Sequence, residues 1–309
     1  PGAQDGSRRA DERGACTAPE RRGTAAKGSI AVVQIPSPAD YAGAVARAVA
    51  DIRRGLLTKV VLARAVEVRL PVPAIPSRLL DTLWGGGRVF APFSVPTPEG
   101  RLVGASPELV IGRHGRSIMS HAFAGTVALS PRREDDGAQR LFSSEKDRSE
   151  HRLVVEEIVQ ALGERCAALT VPSEPTVVRL RSDARLGTII RGTLETGDPR
   201  GATALALLAL LHPTPAVGGV TRAAAQERIS ALEPASRGYW AGAVGWTDRA
   251  GDGEWVLGIR SVVTSGRRAL VRAGAGIVAE SDPEAELAET TVKLRPVLDA
   301  LWPGASALL

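Results

Sequence analysis

The segment Glu254-Trp-Val-Leu-Gly-Ile-Arg-Ser-Val-Val-Thr264 is followed closely by Arg268-Ala-Leu-Val-Arg-Ala273 and preceded by Tyr239-Trp-Ala-Gly-Ala-Val-Gly-Trp246. β-branched and aromatic residues dominate all three stretches, and short glycine-bearing turns separate them, which is the pattern of a sheet meander. A helix then begins with Asp282 as N-cap and Pro283 at its first position, and its periodicity runs to about Leu301. The same mixture precedes it. Lys59–Leu70, Arg101–Val110, Ser117–Phe123 and Val177–Leu180 read as strands. Asp40–Gly55 and Ser144–Cys166 read as helices, the second capped by Ser144 and striped by Val154, Val155, Ile158 and Leu162. The fold class is therefore α/β in composition, of the α+β kind, with long strands and long helices. Residues 1–28 hold alternating charges and little apolar side chain beyond alanine, and are expected to form a disordered tail ahead of one domain over residues 29–309.

The chain has 309 residues, 44% of them hydrophobic and 24% charged, which suits a globular protein with a substantial core. No apolar run approaches the ~20 residues that span a bilayer. Ala202–Leu211 comes nearest and is stopped by His212, Pro213 and Pro215. The first thirty residues lack the apolar core of a secretory signal, and the two cysteines, Cys16 and Cys166, make no disulfide framework. These features lead to the expectation of a cytoplasmic protein that does not enter a membrane. The net charge of +5 could suit a polyanion, but the basic residues are interspersed with acids and form no stripe with aromatics, so nucleic-acid binding is not expected. Only four of the 39 basic residues are lysine: Lys27, Lys59, Lys146 and Lys293. Arginine does not lose its proton at working pH and lysine can, so each internal lysine is a candidate for proton chemistry.

Acidic residues recur at helical spacing on two helices. Asp147 and Glu150 share one face, as do Glu286 and Glu289, with Lys293 one turn further on. Such a set could grip a hard divalent cation; the plainer alternative is two solvated faces and an ordinary Glu289–Lys293 pair. Gly218-Gly219, Gly242, Gly245, Gly274 and Gly276 mark places of close backbone approach, and Arg260 closes a strand where a bidentate grip on a carboxylate is favourable. His212, in a proline-rich turn, reads as structural.

Nine stretches together resemble the chorismate-utilising enzymes, the family of isochorismate, salicylate and anthranilate synthases. They are Lys59-Val-Val-Leu-Ala-Arg64, Gly104-Ala-Ser-Pro-Glu-Leu109, Ala124-Gly-Thr126 and Ser144-Glu-Lys-Asp-Arg-Ser-Glu-His151. Next come His212-Pro-Thr-Pro-Ala-Val-Gly-Gly219, Arg237-Gly-Tyr-Trp-Ala-Gly242 and Glu254-Trp-Val-Leu-Gly-Ile-Arg260. Gly274-Ala-Gly-Ile-Val278 and Glu289-Thr-Thr-Val-Lys293 complete the family order. The resemblance implies two large facing β-sheets with helices outside and the active site in the cleft between the halves. It implies Mg2+ held directly by Glu150 and Glu289 and through water by Asp147 and Glu286. Chorismate would be contacted by Gly125, Thr126, Ala216, Trp240, Arg260, Gly274, Gly276 and Lys293. Lys59 would be the base for a nucleophilic water and Glu108 the acid at the departing hydroxyl. The family also suggests a monomer or weak dimer.

Within the family the His212–Gly219 stretch looks most like isochorismate synthases, whose product feeds siderophores, menaquinone or specialised aromatic metabolites. A salicylate synthase, an aminating enzyme of the same fold and a catalytically degenerate chorismate-binding protein are the alternatives. Two positions depart from the family pattern: Arg185-Leu-Gly-Thr188 stands where a histidine usually leads the motif, and Trp240 replaces a smaller aromatic residue.

Overall fold

The structure is a computed structural model describing residues 29–85, 91–129, 136–180, 183–197 and 202–309; the expected tail over residues 1–28 lies outside them. The chain opens with β1 (Ala31–Ile35), α1 (Pro38–Arg53), β2 (Lys59–Arg69), α2 (Pro76–Trp84), β3 (Ala91–Thr97) and β4 (Gly100–Ser106). It continues through β5 (Leu109–His114), β6 (Ser117–Ala128), α3 (Asp136–Ser143), α4 (Glu145–Gly163), β7 (Cys166–Thr170), β8 (Thr176–Arg179) and β9 (Asp183–Leu194). Then come α5 (Ala204–Leu211), β10 (Gly219–Val220), α6 (Arg222–Leu232), β11 (Ala243–Thr247), β12 (Gly253–Leu257), β13 (Ser261–Ser265), β14 (Arg268–Ile277) and α7 (Pro283–Leu301).

Local chemistry starts the helices that matter for the site. The Ser144 hydroxyl accepts from the Asp147 amide at 3.2 Å, and Asp282 Oδ1 accepts from the Ala285 amide at 2.9 Å, each satisfying a donor of the first turn. Helix α1 begins two residues before the expected Asp40, because Ser37 caps it and Pro38 fits its first turn. No helix is long and apolar enough to cross a membrane among the described residues.

The strands form two seven-stranded sheets, and every pairing among the described residues is antiparallel. In the first the order is β1-β2-β14-β13-β4-β3, with β10 beside the start of β2; in the second it is β11-β12-β5-β6-β9-β7, with β8 also on β9. Leu294, Val297 and Leu298 of α7 pack on Val262 and Val271 of the first sheet, and Val154, Ile158 and Leu162 of α4 pack with Ile118 and Ile190 of the second. Each buried side chain of this kind stabilises the fold by about 1.5–3 kcal/mol.

Two expected strands are each two strands. The stretch Arg101–Val110 breaks after Ser106: β4 belongs to the first sheet and β5 to the second. Glu254–Thr264 likewise breaks after Leu257, so β12 lies in the second sheet and β13 in the first. The meander is therefore shared between sheets, and Tyr239–Gly242 precedes β11 rather than opening it. Pro107 ends the first strand by withholding an amide donor. Arg260 ends the second by adopting φ of +51°, a left-handed conformation that turns the chain out of the pleat. The two crossings are stitched to one another's neighbours: Leu257 N donates to the Glu108 carbonyl at 3.1 Å, and Ala105 N to the Arg260 carbonyl at 3.3 Å.

Candidate active site

Each crossing delivers one charged side chain into a cavity between the sheets. Glu108 and Arg260 line it together with Val61, Ala273, Gly274 and Gly276 from the first sheet and Phe123, Ala124, Gly125, Thr126 and Arg185 from the second. Ala216, Val217, Trp240, Ile259, Arg272, Lys293 and Glu150 complete the wall. The sequence-derived contacts Gly125, Thr126, Ala216, Trp240, Arg260, Gly274, Gly276 and Lys293 thus border one space. Lys59, Asp147, Glu286 and Glu289 stand one layer behind it.

That layer is a lattice of opposite charges. Lys59 is wholly buried at the start of β2, and its Nζ lies 3.2 Å from Glu150 Oε1 on α4. Lys146 Nζ reaches Glu286 Oε1 at 2.8 Å and Glu289 Oε2 at 3.5 Å, while Lys293 Nζ holds Glu289 Oε1 at 2.6 Å and the Gly274 carbonyl at 2.9 Å. Buried charges persist only when matched. Every lysine of the described residues is spent here. Burial pushes the Glu150 carboxyl up, but Lys59, Lys146 and Lys293 outweigh it and hold the group below the usual carboxylate range. Glu286 goes the other way, raised to about 7 by burial and by Glu289 despite Lys146. Lys59 is pulled below the ordinary amine value by burial, which Glu150 only partly offsets.

Lys146 was not assigned a role from sequence. Its signal was its rarity as a lysine; its position beside Asp147 on a charged helix start reads as a solvated face until the burial is seen. Arg64 was missed as well. Its buried guanidinium donates to Thr290 and Thr291 Oγ1, both at 2.7 Å, and ties the acidic helix α7 to β2.

Backbone space is as specific as charge. A Cβ on Gly276 would lie 1.9 Å from Glu150 Oε1 and 3.0 Å from Lys59 Cε, and one on Gly125, where φ is +69°, would lie 2.9 Å from Asp147 Cβ. Gly276→Ala is expected to break the Lys59–Glu150 contact and to lower turnover at least ~10²-fold, the scale of a 1 Å misplacement in a site. Steady-state rates on the folded variant check this, and near-native turnover would show that the contact is dispensable.

On the cavity wall, Glu108 is buried with its amide donating to Ser106 Oγ at 3.2 Å. Burial raises its carboxyl to about 7, although Arg185, Lys59 and Lys293 pull the other way and Glu150 adds to the rise. Asp183 Oδ2 receives two guanidinium groups, Arg185 Nε and Arg260 Nη2, each at 2.8 Å. The arrangement can hold a proton at one side of the cavity, anionic oxygens at another and a carboxylate cluster behind a third.

A family model described as chorismate binding enzyme matches residues 8–302. The chain belongs to the chorismate-binding enzymes. The isochorismate synthase DhbC of Bacillus subtilis is 40% identical over 276 residues, covering 86% of this chain and 69% of its own. MenF of Mycobacterium tuberculosis H37Rv is 44% identical over 281 residues, covering 86% and 74%. Among solved structures, DhbC from Bacillus anthracis superposes with a TM-score of 0.84 at 35% identity, over 90% of this chain and 76% of that one. The chorismate-binding family accounts for the two large antiparallel sheets and for the cavity between them.

Proposed function

We infer that the chain is an isochorismate synthase, an isomerase that converts chorismate to isochorismate by adding water at C2 and expelling the C4 hydroxyl. The observation that carries this reading is a cavity with Glu108, a carboxyl raised to about 7, on its wall and the buried Lys59 behind Glu150 on that wall, in a chain whose relatives include named isochorismate synthases. Hydroxide leaves poorly unless protonated, and water attacks poorly unless a base takes its proton. Glu108 gives the proton at C4. Lys59 accepts one from the water at C2 once Glu150 releases it. Arg260 and the backbone of Gly274–Gly276 face the enolpyruvyl group, and residues 29–309 act as one catalytic domain, in the cytoplasm.

The donors suit a hard cation. Glu150 Oε2 and Glu286 Oε2 are buried without a partner, and the available groups are carboxylates, the ligands Mg2+ prefers. No three acidic or histidine side chains among the described residues converge closely enough to chelate as placed, because lysines occupy the approaches. Glu150 and Glu289 would hold Mg2+ directly and Asp147 and Glu286 through water, with Lys146 giving way. The ion would supply positive charge that binds and orients the ring carboxylate.

Incubating the protein with chorismate and Mg2+ and separating the products tests the reading. Isochorismate carrying solvent oxygen at C2 is expected; salicylate as the first product, or an amine formed with ammonium, would place the chain elsewhere in its family. Glu108→Gln keeps shape and hydrogen bonding but has no proton to give, so a ~10²–10⁴-fold fall in kcat is expected. The acid must be protonated to act, so wild-type turnover should fall as pH rises through about 7, with Arg185, Lys59, Lys293 and Glu150 the charged groups that set the midpoint. A pH profile flat from 6 to 9, or an active glutamine variant, would remove Glu108 from the mechanism.

A further inference from the structure

Five of the residues around the catalytic cavity are partly exposed, namely Thr126, Ala216, Ile259, Arg272 and Lys293, and the rest of its lining is buried. The cavity therefore meets solvent among these five, and two of them are cationic. Lys293 is committed to Glu289 at 2.6 Å and to the Gly274 carbonyl at 2.9 Å. The deeper arginines, Arg185 and Arg260, both pair with Asp183. Arg272 differs from all three. Its Nη2 donates to the Ser236 carbonyl at 3.0 Å, and no carboxylate among the described residues comes within ion-pair distance of it; Glu99 and Glu233 act on it only through their charge.

The pleat sets where that charge stands. Strand β14 pairs with β2 in unbroken register, so Arg272, Gly274 and Gly276 share one face of the sheet. A Cβ on Gly276 would meet Glu150 Oε1, and one on Gly274 would lie 2.8 Å from Trp240 Cη2, so this face borders the cavity. The two glycines leave it bare, and Arg272 is the first side chain along it, about 13 Å of strand from Gly276. The row thus runs from the carboxylate cluster at one end to an unmatched guanidinium at the other. Arginine keeps that charge at every working pH.

We propose that Arg272 is a capture residue: its uncompensated charge at the mouth draws a small dicarboxylate into the cavity, where Arg260 and the backbone of Gly274–Gly276 take over the enolpyruvyl carboxylate. This rests on chorismate, a dianion, as substrate. Charge of one sign at a cleft raises the on-rate of an oppositely charged ligand, and the gain fades as salt is added. Arg272 works through charge at a distance, so an ammonium in its place serves as well as a guanidinium.

The test uses the whole protein with Mg2+ and compares wild type with Arg272→Gln, Arg272→Lys and Arg272→Glu. A unit charge and a dianion ~8 Å apart in water change the encounter weight by a factor of ~5. At low ionic strength Arg272→Gln should therefore lose ~5-fold in kcat/KM and Arg272→Glu ~20-fold, with Arg272→Lys within ~2-fold of wild type. At an ionic strength of about 0.5 M the screening length falls to ~4 Å, and all four proteins should converge to within ~2-fold. The kcat should stay within ~2-fold throughout, because the interaction acts before the chemical step. Association rates of chorismate, followed by stopped-flow tryptophan fluorescence with Trp240 on the cavity wall as reporter, give an arm that does not depend on turnover and should show the same order. A glutamine variant with the wild-type kcat/KM and salt dependence overturns the proposal. So does a loss that persists at high salt and is not restored by lysine, which marks a short-range contact or a packing defect. Glutamine and lysine decide if glutamate prevents folding. If association follows the expected order but no isochorismate forms, the reaction assigned above fails and capture by Arg272 stands.

Discussion

Replacing Glu150 by alanine is expected to abolish turnover and to destabilise the fold by about 3–5 kcal/mol, the cost of leaving a buried charge without its partner. The partner is Lys59, which has no exposed surface and whose Nζ finds Glu150 Oε1 at 3.2 Å. Removing the carboxylate strands an ammonium between β2 and α4. The same change deletes the carboxylate that borders the cavity and carries a spare buried oxygen. Denaturant unfolding and product assays on Glu150→Ala separate the two effects when Lys59→Met is added. The double variant should regain most of the lost stability, because neither charge is then unpaired, and should stay inactive. A single variant as stable and active as wild type would show that the lysine–carboxylate lattice is incidental.

Lys59→Arg is expected to lose as much activity as Lys59→Ala, on the order of 10²–10⁴-fold in kcat. If the residue only supplied positive charge to Glu150, arginine would preserve that role. As a base it must give up a proton at working pH, and a guanidinium does not. Arginine is also larger, and the side chain it replaces runs 3.0 Å from where a Cβ of Gly276 would stand. Unfolding curves are therefore measured alongside rates. A folded arginine variant with substantial turnover would take the base role from Lys59.

Much of the site was legible in the sequence because helix periodicity is a strong signal. Asp147 with Glu150, and Glu286 with Glu289, had to share faces once Ser144 and Asp282 were recognised as caps. The rarity of lysine marked Lys59 and Lys293, and it marked Lys146 too, although nothing in the sequence distinguished its buried amine from a solvated one. The crossings were not legible. A run of β-formers records pleat alternation, which is the same on either side of a change of sheet, so Ser106–Leu109 and Leu257–Ser261 read as uninterrupted strands. Strand β9 escaped for a related reason. Arg185 and Arg191 interrupt its apolar pattern, and Gly187 and Gly192 weaken it, yet it pairs with β6 along most of its length. The way Arg185 and Arg260 converge on Asp183 depends on where Asp183 and Lys293 point their oxygens, and no spacing rule contains that.

The crossings also set an order of construction. Apart from the two-residue β10, which pairs with β2, the stretch from β5 to β12 supplies only the second sheet, whereas the first takes β1–β4 from before it and β13–β14 from after it. During synthesis the second sheet can therefore close once Leu257 is available. The long strand β2 must wait for β14, which pairs with it from Ile277↔Val60 to Arg268↔Arg69. Until then one flank of β2 is an open edge, the kind of surface that invites wrong pairing. Glu289 and Lys293 arrive later still, on α7. The cleft is the last part of the molecule to assemble, so a nascent chain holds a finished second sheet well before it holds a catalyst.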